Sequence, residues 1–208
     1  MTQLVPDFAS FEAGWARGEN QLVHARLAAD LDTPVSLYLK LTAAGRDSFM
    51  LESVTGGEVR GRYSIIGMKP DLIWECRGAQ SRINRAARFD PTGWDMLPGH
   101  PLDTLRALLA ESRVTMPDGL PAAAAGLFGY LGYDMIRQVE HLPDMNPDPI
   151  GVPDAILLRP SVVAVLDGVK GEVSVVAPAW VGSGLGARAA YAQAAERVMD
   201  AVRDLERA

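Results

Sequence analysis

The sequence holds a single cysteine, Cys76, among its 208 residues. No internal disulfide can form, which excludes a secreted module built on disulfides. Histidine is nearly as scarce. His24, His100 and His141 lie far apart and lack the spacing of metal ligands. No stretch approaches the roughly 18 consecutive apolar residues of a membrane-spanning helix. The start, Met1 to Asp7, lacks a basic region followed by an apolar run and so does not read as a signal peptide. Positive charge is outweighed: 20 Lys and Arg against 26 Asp and Glu give a net charge of −6. That balance provides no electrostatic footprint for nucleic acid or for an anionic membrane surface. The Gly-x-Ser-x-Gly nucleophile elbow and the Walker-type phosphate loop are absent. A soluble, cytoplasmic protein mixing helix and strand remains.

Apolar residues make up 48% of the chain and charged residues 22%, close to a globular average. At roughly 100–200 residues per domain the length fits one large domain or two small ones. Asp7 before Phe8, Phe11 and Trp15 predicts a capped helix over about 8–17. Gln21 to Ala28 reads as a strand. Thr33-Pro34 starts a second helix, with Thr33 as N-cap and Pro34 at the first helical position. Ser48–Val54, Tyr63–Gly67, Asp71–Cys76 and Ser81–Arg85 read as strands, the middle two split by Lys69-Pro70. Their links are too short for crossover helices, so the pairing is antiparallel. Residues 89–100 read as a loop, and Pro101 opens a helix with a Leu102, Leu105, Leu108, Leu109 stripe. Ala122–Tyr130 reads as a buried strand and Asp134–Glu140 as a short helix. Ala155–Leu166 and Glu172–Ala177 flank Asp167-Gly168-Val169-Lys170-Gly171, a hairpin signal. A long Ala-rich helix runs from Ala187 to the end.

Cys76, alone in an apolar strand, reads as a small core residue rather than a nucleophile. Gly126, Gly129 and Gly132 are spaced three and three, unlike a dinucleotide loop, and read as places where no side chain fits. The richest constellation is Leu51-Glu52-Ser53 followed by Gly61-Arg62-Tyr63-Ser64-Ile65-Ile66-Gly67. Across a hairpin these residues can line one pocket: Glu52 to accept from an ammonium, Ser53 to hydrogen-bond, Tyr63 to wall an apolar side chain. From the residues alone, a cross-strand ion pair of Glu52 with Arg62 explains the same pattern.

These segments, with Thr33-Pro34-Val35-Ser36, Tyr38-Leu39-Lys40-Leu41 and the run GLFGYLGYDMIRQVE over 126–140, resemble the N-terminal region of anthranilate synthase component I, a chorismate-utilising enzyme. The likeness runs in order from about residue 8 to 205. It implies an α+β fold with antiparallel sheets, two of them packed face to face, flanked by helices. It also implies an allosteric tryptophan site for feedback inhibition, falling here on Leu51, Glu52, Ser53, Arg62, Tyr63 and Ser64, and this favours effector binding over the bare ion pair.

For the whole enzyme the resemblance implies a lyase of tryptophan biosynthesis. It converts chorismate and ammonia to anthranilate with loss of pyruvate, uses Mg²⁺, and takes ammonia from a glutamine amidotransferase partner. The catalytic histidine, the metal-binding glutamates and a Pro-Tyr-Met wall of the tryptophan pocket belong to a C-terminal half that these residues do not contain. No catalytic or metal residue is therefore assigned here, and the fragment by itself is expected to be inactive and prone to self-association. Two other readings stay open: the same region of aminodeoxychorismate synthase, and a free-standing amino-acid-binding or interaction domain.

Overall fold

The computed structural model describes residues 2–42, 45, 47–52, 61–143 and 147–207. In it four helices and eight strands follow the order α1 (Phe8–Ala16), β1 (Gln21–Ala28), α2 (Pro34–Thr42), β2 (Phe49–Leu51), β3 (Tyr63–Arg77), β4 (Gln80–Asn84), β5 (Asp95–Leu97), α3 (Pro101–Glu111), β6 (Phe128–Leu131), β7 (Ala155–Asp167), β8 (Glu172–Ala179) and α4 (Ala187–Leu205). Short 3-10 turns lie at Ala122–Ala124, Tyr133–Gln138 and Val181–Ser183. The fold is α+β, an antiparallel sheet flanked by helices. In place of the expected two sheets, the described strands join in one network ordered β1-β8-β7-β3-β4-β5, with β2 on β3 and β6 on β7.

The chain divides into two compact units. The first comprises Met1–Lys69, Ser112–Gly126 and Pro160–Ala208. Its helix starts obey local chemistry. Asp7 Oδ1 accepts from Ser10 N at 2.8 Å. Thr33 Oγ1 accepts from Ser36 N at 3.1 Å while Ser36 Oγ accepts from Thr33 N at 2.9 Å, a reciprocal cap. α4 lays Ala190, Ala194, Val198, Ala201, Val202 and Leu205 onto Val23 and Ala25 of β1 and Val173, Val175 and Ala177 of β8, its small side chains allowing close approach. Phe11 of α1 stacks on Trp15 with ring centroids 5.4 Å apart and meets Tyr191 of α4 edge-on at 5.2 Å.

The second unit comprises Pro70–Glu111 and Leu127–Arg159. Its core gathers Leu72, Trp74 and Cys76 of β3, Ile83 of β4 and Leu105 and Leu108 of α3. Trp74 donates from Nε1 to Thr104 Oγ1 at 3.1 Å, so its one polar atom is satisfied. Arg159, with 8% of its side chain exposed, is bidentate to Asp71 at 2.9 and 3.1 Å and reaches Glu111 at 3.1 Å.

Four local expectations change. The strands expected at 63–67 and 71–76 are one strand, because Lys69 takes a positive φ of 50° and absorbs the break that Pro70 signalled; the boundary between the units falls at that point. The expected buried strand 122–130 is a 3-10 turn followed by the short β6. The helix expected over 134–140 is a 3-10 turn over Tyr133–Gln138. The loop 89–100 contains β5, which pairs with β4. Gly129 and Gly132 are required as expected, but by strand packing: a side chain at Gly129 would strike the Ile156 carbonyl oxygen, and one at Gly132 would come within 2.8 Å of the Asp154 carbonyl oxygen.

Candidate functional site

The candidate residues sit where β2 meets the start of β3 in the first unit. The register pairs Phe49 with Gly67, Met50 with Ile66 and Leu51 with Ile65. The Phe49 ring lies over Gly67 and occupies the space a Cβ there would need. Period-two alternation then assigns faces. Met50, Ile66 and Met68 pack into the core under α4, so Ser64, buried, lies on that face. Tyr63, Ile65 and the half-exposed Leu51 lie on the opposite face. Glu52 is exposed and lies just beyond the end of β2. Ser53 lies outside the described residues. The described candidates thus lie on or just outside the ends of two paired strands, and Leu51 and Tyr63 fall on one face of the sheet and Ser64 on the other.

Arg62 has a partner that the sequence did not indicate. Its Nε donates to Asp167 Oδ1 at 2.9 Å and its Nη2 to Asp167 Oδ2 at 2.6 Å. The alternative Glu52–Arg62 ion pair, read from the residues alone, is not formed among the described residues; Arg62 pairs with Asp167 instead. The reason is geometric: the β7–β8 turn brings a carboxylate, only 12% exposed, to a guanidinium 105 residues earlier. Asp167 Oδ1 also accepts from Val169 N at 3.1 Å and Lys170 N at 3.2 Å, closing its own turn. The Arg62 carbonyl accepts from Gly168 N at 2.9 Å, and the Arg62 guanidinium lies over the Tyr63 ring, 5.0 Å from its centroid. The Arg62 hydrogen bonds hold the Asp167 carboxyl below the usual carboxylate range, against desolvation, which pushes it up; the two turn amides add to the lowering.

Beside Tyr63 and Asp167, the side chains of Arg26, Glu172 and Ser174 with Pro121 close a cavity of about 30 Å³. That is room for a water or two and far short of the roughly 300 Å³ at which small-molecule pockets begin. Asp167, Arg26, Glu172 and Ser174 carried no sequence signal for this place; Asp167 read only as a turn residue. Around Tyr63 and Asp167 the described residues therefore present a polar, clamped strand edge with only this small cavity beside it.

The histidines have separate surroundings. His24 is buried on β1, its pKa lowered by burial first and by Arg26 second. His100 Nδ1 accepts from Leu102 N at 3.3 Å at the start of α3. The Cys76 thiol is buried and pushed up to about 11, chiefly by desolvation. Among the described residues no group of three or more His, Cys, Asp or Glu side chains could hold a metal ion. None of the described helices is long and apolar enough to cross a membrane. In the second unit a groove of about 570 Å³ runs past Arg77, Tyr133, Asp134, Arg137, Asp148 and Asp154. Its charges serve its own walls: Asp134 pairs with Arg137 at 2.7 Å, and Arg77 donates to the Gly151 carbonyl at 2.7 Å.

No protein-family model matches the chain. Anthranilate synthase component 1 of Cereibacter sphaeroides is 76% identical over 201 residues, 97% of this chain and 40% of that protein. The chain belongs to the anthranilate synthase component 1 family. The component 1 of a Synechocystis strain is 34% identical over 203 residues, 97% of this chain and 39% of the relative. That of Pseudomonas aeruginosa is 40% identical over 154 residues, 71% of this chain and 30% of the relative. The chain therefore spans at most about 40% of the length of these anthranilate synthase relatives. A crystal structure of anthranilate synthase component I from Streptococcus pneumoniae superimposes with a TM-score of 0.57 at 20% identity, over 88% of this chain and 37% of that one, which supports the fold.

Proposed function

We propose that the chain is the N-terminal, effector-binding part of an anthranilate synthase component 1. The supporting observation is the 76% identity to the Cereibacter sphaeroides protein across 97% of the chain. The whole enzyme would make anthranilate and pyruvate from chorismate and ammonia, with the ammonia delivered by a glutamine amidotransferase, in the cytoplasm. The catalytic half lies in polypeptide that this chain does not span, and by itself the chain is inactive. Mg²⁺, which the resemblance implies for the whole enzyme, is placed on no residue here.

The role of this part is regulatory. Tryptophan, held against Leu51, Glu52, Ser53 and Tyr63, with Arg62 at the edge and Ser64 behind the sheet supporting Tyr63, inhibits by binding one arrangement of the two parts better than the other. The strength of inhibition is bounded by that difference in affinity. Two observations fit a site completed by further polypeptide: the cavity beside Tyr63 is too small for an amino acid, and the edge residue Leu51 is half exposed.

The test uses the whole enzyme carrying Glu52→Ala or Ser53→Ala, assayed for anthranilate formation from chorismate and ammonia with and without tryptophan. Inhibition should weaken at least about tenfold, a loss of roughly 1.4 kcal/mol of coupling, with turnover nearly intact. Unchanged inhibition in both variants removes the effector assignment. Absence of anthranilate from the unsubstituted enzyme removes the reading altogether.

A further inference from the structure

Arg62 stands immediately before β3, and Tyr63 is the first residue of that strand. The turn between β7 and β8 grips this pair by backbone and side chain together. Gly168 N donates to the Arg62 carbonyl at 2.9 Å, while both Asp167 oxygens accept from the Arg62 guanidinium, at 2.9 and 2.6 Å. A two-point guanidinium–carboxylate pair fixes orientation as well as distance. The guanidinium so oriented lies over the Tyr63 ring, and a cation above a ring face is itself attractive. Tyr63 points away from the core under α4, so that core does not hold its ring. The turn is anchored in its own right. Ala29 N, just past β1, donates to the Gly171 carbonyl at 2.7 Å, and Gly171 N donates to the Asp167 carbonyl at 2.9 Å. Gly171 has a φ of 63°, and a Cβ there would strike Asp30 Oδ1. Arg62 is therefore braced against a fixed hairpin rather than against a side chain free to swing.

We propose that Asp167 is a positioning residue of the effector site: acting through Arg62, it fixes the Tyr63 ring and the start of β3 in the arrangement that receives tryptophan. This rests on the proposed function, under which Arg62 and Tyr63 face the effector. Asp167 itself touches no effector; it lies in another hairpin, behind Arg62. A binding group is only as well placed as the residues that lock its rotamer. The lock here is ionic, and it is shielded, since the Asp167 side chain is only 12% exposed. Asparagine at this position keeps an oxygen for the amides of Val169 and Lys170, so the turn persists. It loses the charge and one of the two bonds to Arg62, which frees the guanidinium to leave the ring. Effector affinity then falls because ordering Arg62 and Tyr63 becomes a cost of binding.

The test measures, in the whole enzyme, the tryptophan concentration that halves each variant's own rate of anthranilate formation. Asp167→Asn should raise that concentration at least about fivefold. Because Asp167 acts through Arg62, the double variant Arg62→Met/Asp167→Asn should need no more tryptophan than Arg62→Met alone. Gly129→Ala, which strains backbone away from these residues, controls for general loosening and should leave the concentration where it was. Asp167→Glu is the second variant should Asp167→Asn not fold. It keeps the charge but displaces the carboxylate by one methylene, so a smaller rise is expected. No rise in the Asp167 variant that folds overturns the proposal. Additive effects of Arg62→Met and Asp167→Asn overturn it too, as does an equal rise in Gly129→Ala. Glu52→Ala separates this inference from the reading beneath it. Inhibition relieved by Glu52→Ala but untouched by the Asp167 variants sinks the positioning role alone. An unsubstituted enzyme that tryptophan does not inhibit sinks the effector site and the positioning role together.

Discussion

Asp167→Asn isolates the clamp between the β7–β8 turn and the start of β3. Asparagine keeps an oxygen for the amides of Val169 and Lys170, so the turn itself survives. What is lost is the charge facing Arg62 and one of two hydrogen bonds of 2.9 and 2.6 Å. Breaking a fully buried pair from one side costs about 3–5 kcal/mol. Here the Arg62 side chain is 26% exposed and Asp167 12%, so water compensates in part. A loss of about 2 kcal/mol at pH 7 is expected, measured as a shift in urea midpoint at constant slope. A double-mutant cycle with Arg62→Met should return a coupling above about 1 kcal/mol.

The pH dependence gives a second reading of the same clamp. The folded-state pKa of Asp167 lies below its ordinary value of 3.8. The stabilisation is therefore fully present above that ordinary value and disappears as pH falls through the lower, folded one. The stability gap between the native chain and Asp167→Asn should be flat above about pH 5 and should close only below about pH 4. A variant as stable as the native chain at pH 7, or a gap that closes near neutrality, refutes the reasoning.

Gly129→Ala should destabilise the chain by at least about 2 kcal/mol, because the new methyl meets the Ile156 carbonyl oxygen and backbone must move; chemical denaturation measures this. Arg159→Ala leaves Asp71 without its bidentate partner and removes one of the partners of Glu111, and about 3–4 kcal/mol should be lost in the second unit. Hydrogen exchange at α3 and β4 amides should rise accordingly, and unchanged protection there would contradict the network. Cys76, with its thiol raised to about 11 and its side chain buried, should resist a disulfide reagent at pH 8 in the folded chain and react promptly in denaturant. Fast reaction without denaturant would place the thiol at the surface.

Much of the architecture is written locally. Asp7 and Thr33-Pro34 announce helix starts because a side-chain oxygen or a fixed φ acts within one turn of the residue that carries it. Asp167 to Gly171 announces a hairpin for the same reason. Gly129 and Gly132 announced close approach, since a side chain at either would strike backbone, whereas at Gly126, read the same way, a Cβ would meet nothing within 4 Å. The candidate segment was legible as a motif, Leu-Glu-Ser with Arg-Tyr-Ser, and the relatives bear out the family it pointed to. Its geometry was not. Whether Arg62 meets Glu52 or Asp167 depends on where β7 lies relative to β3, a contact 105 residues long in sequence. Charge and spacing carry no information at that range. The same holds for the division of Tyr63 and Ser64 between two faces, which required the register of β2 on β3 and the position of α4. It holds for the continuous β3 as well, where Lys69 in a left-handed conformation carries the strand through a proline that locally reads as a stop. Sequence determined the elements, because their signals act within a few residues. Tertiary structure decided partners and faces, because those follow from long-range strand pairing and burial.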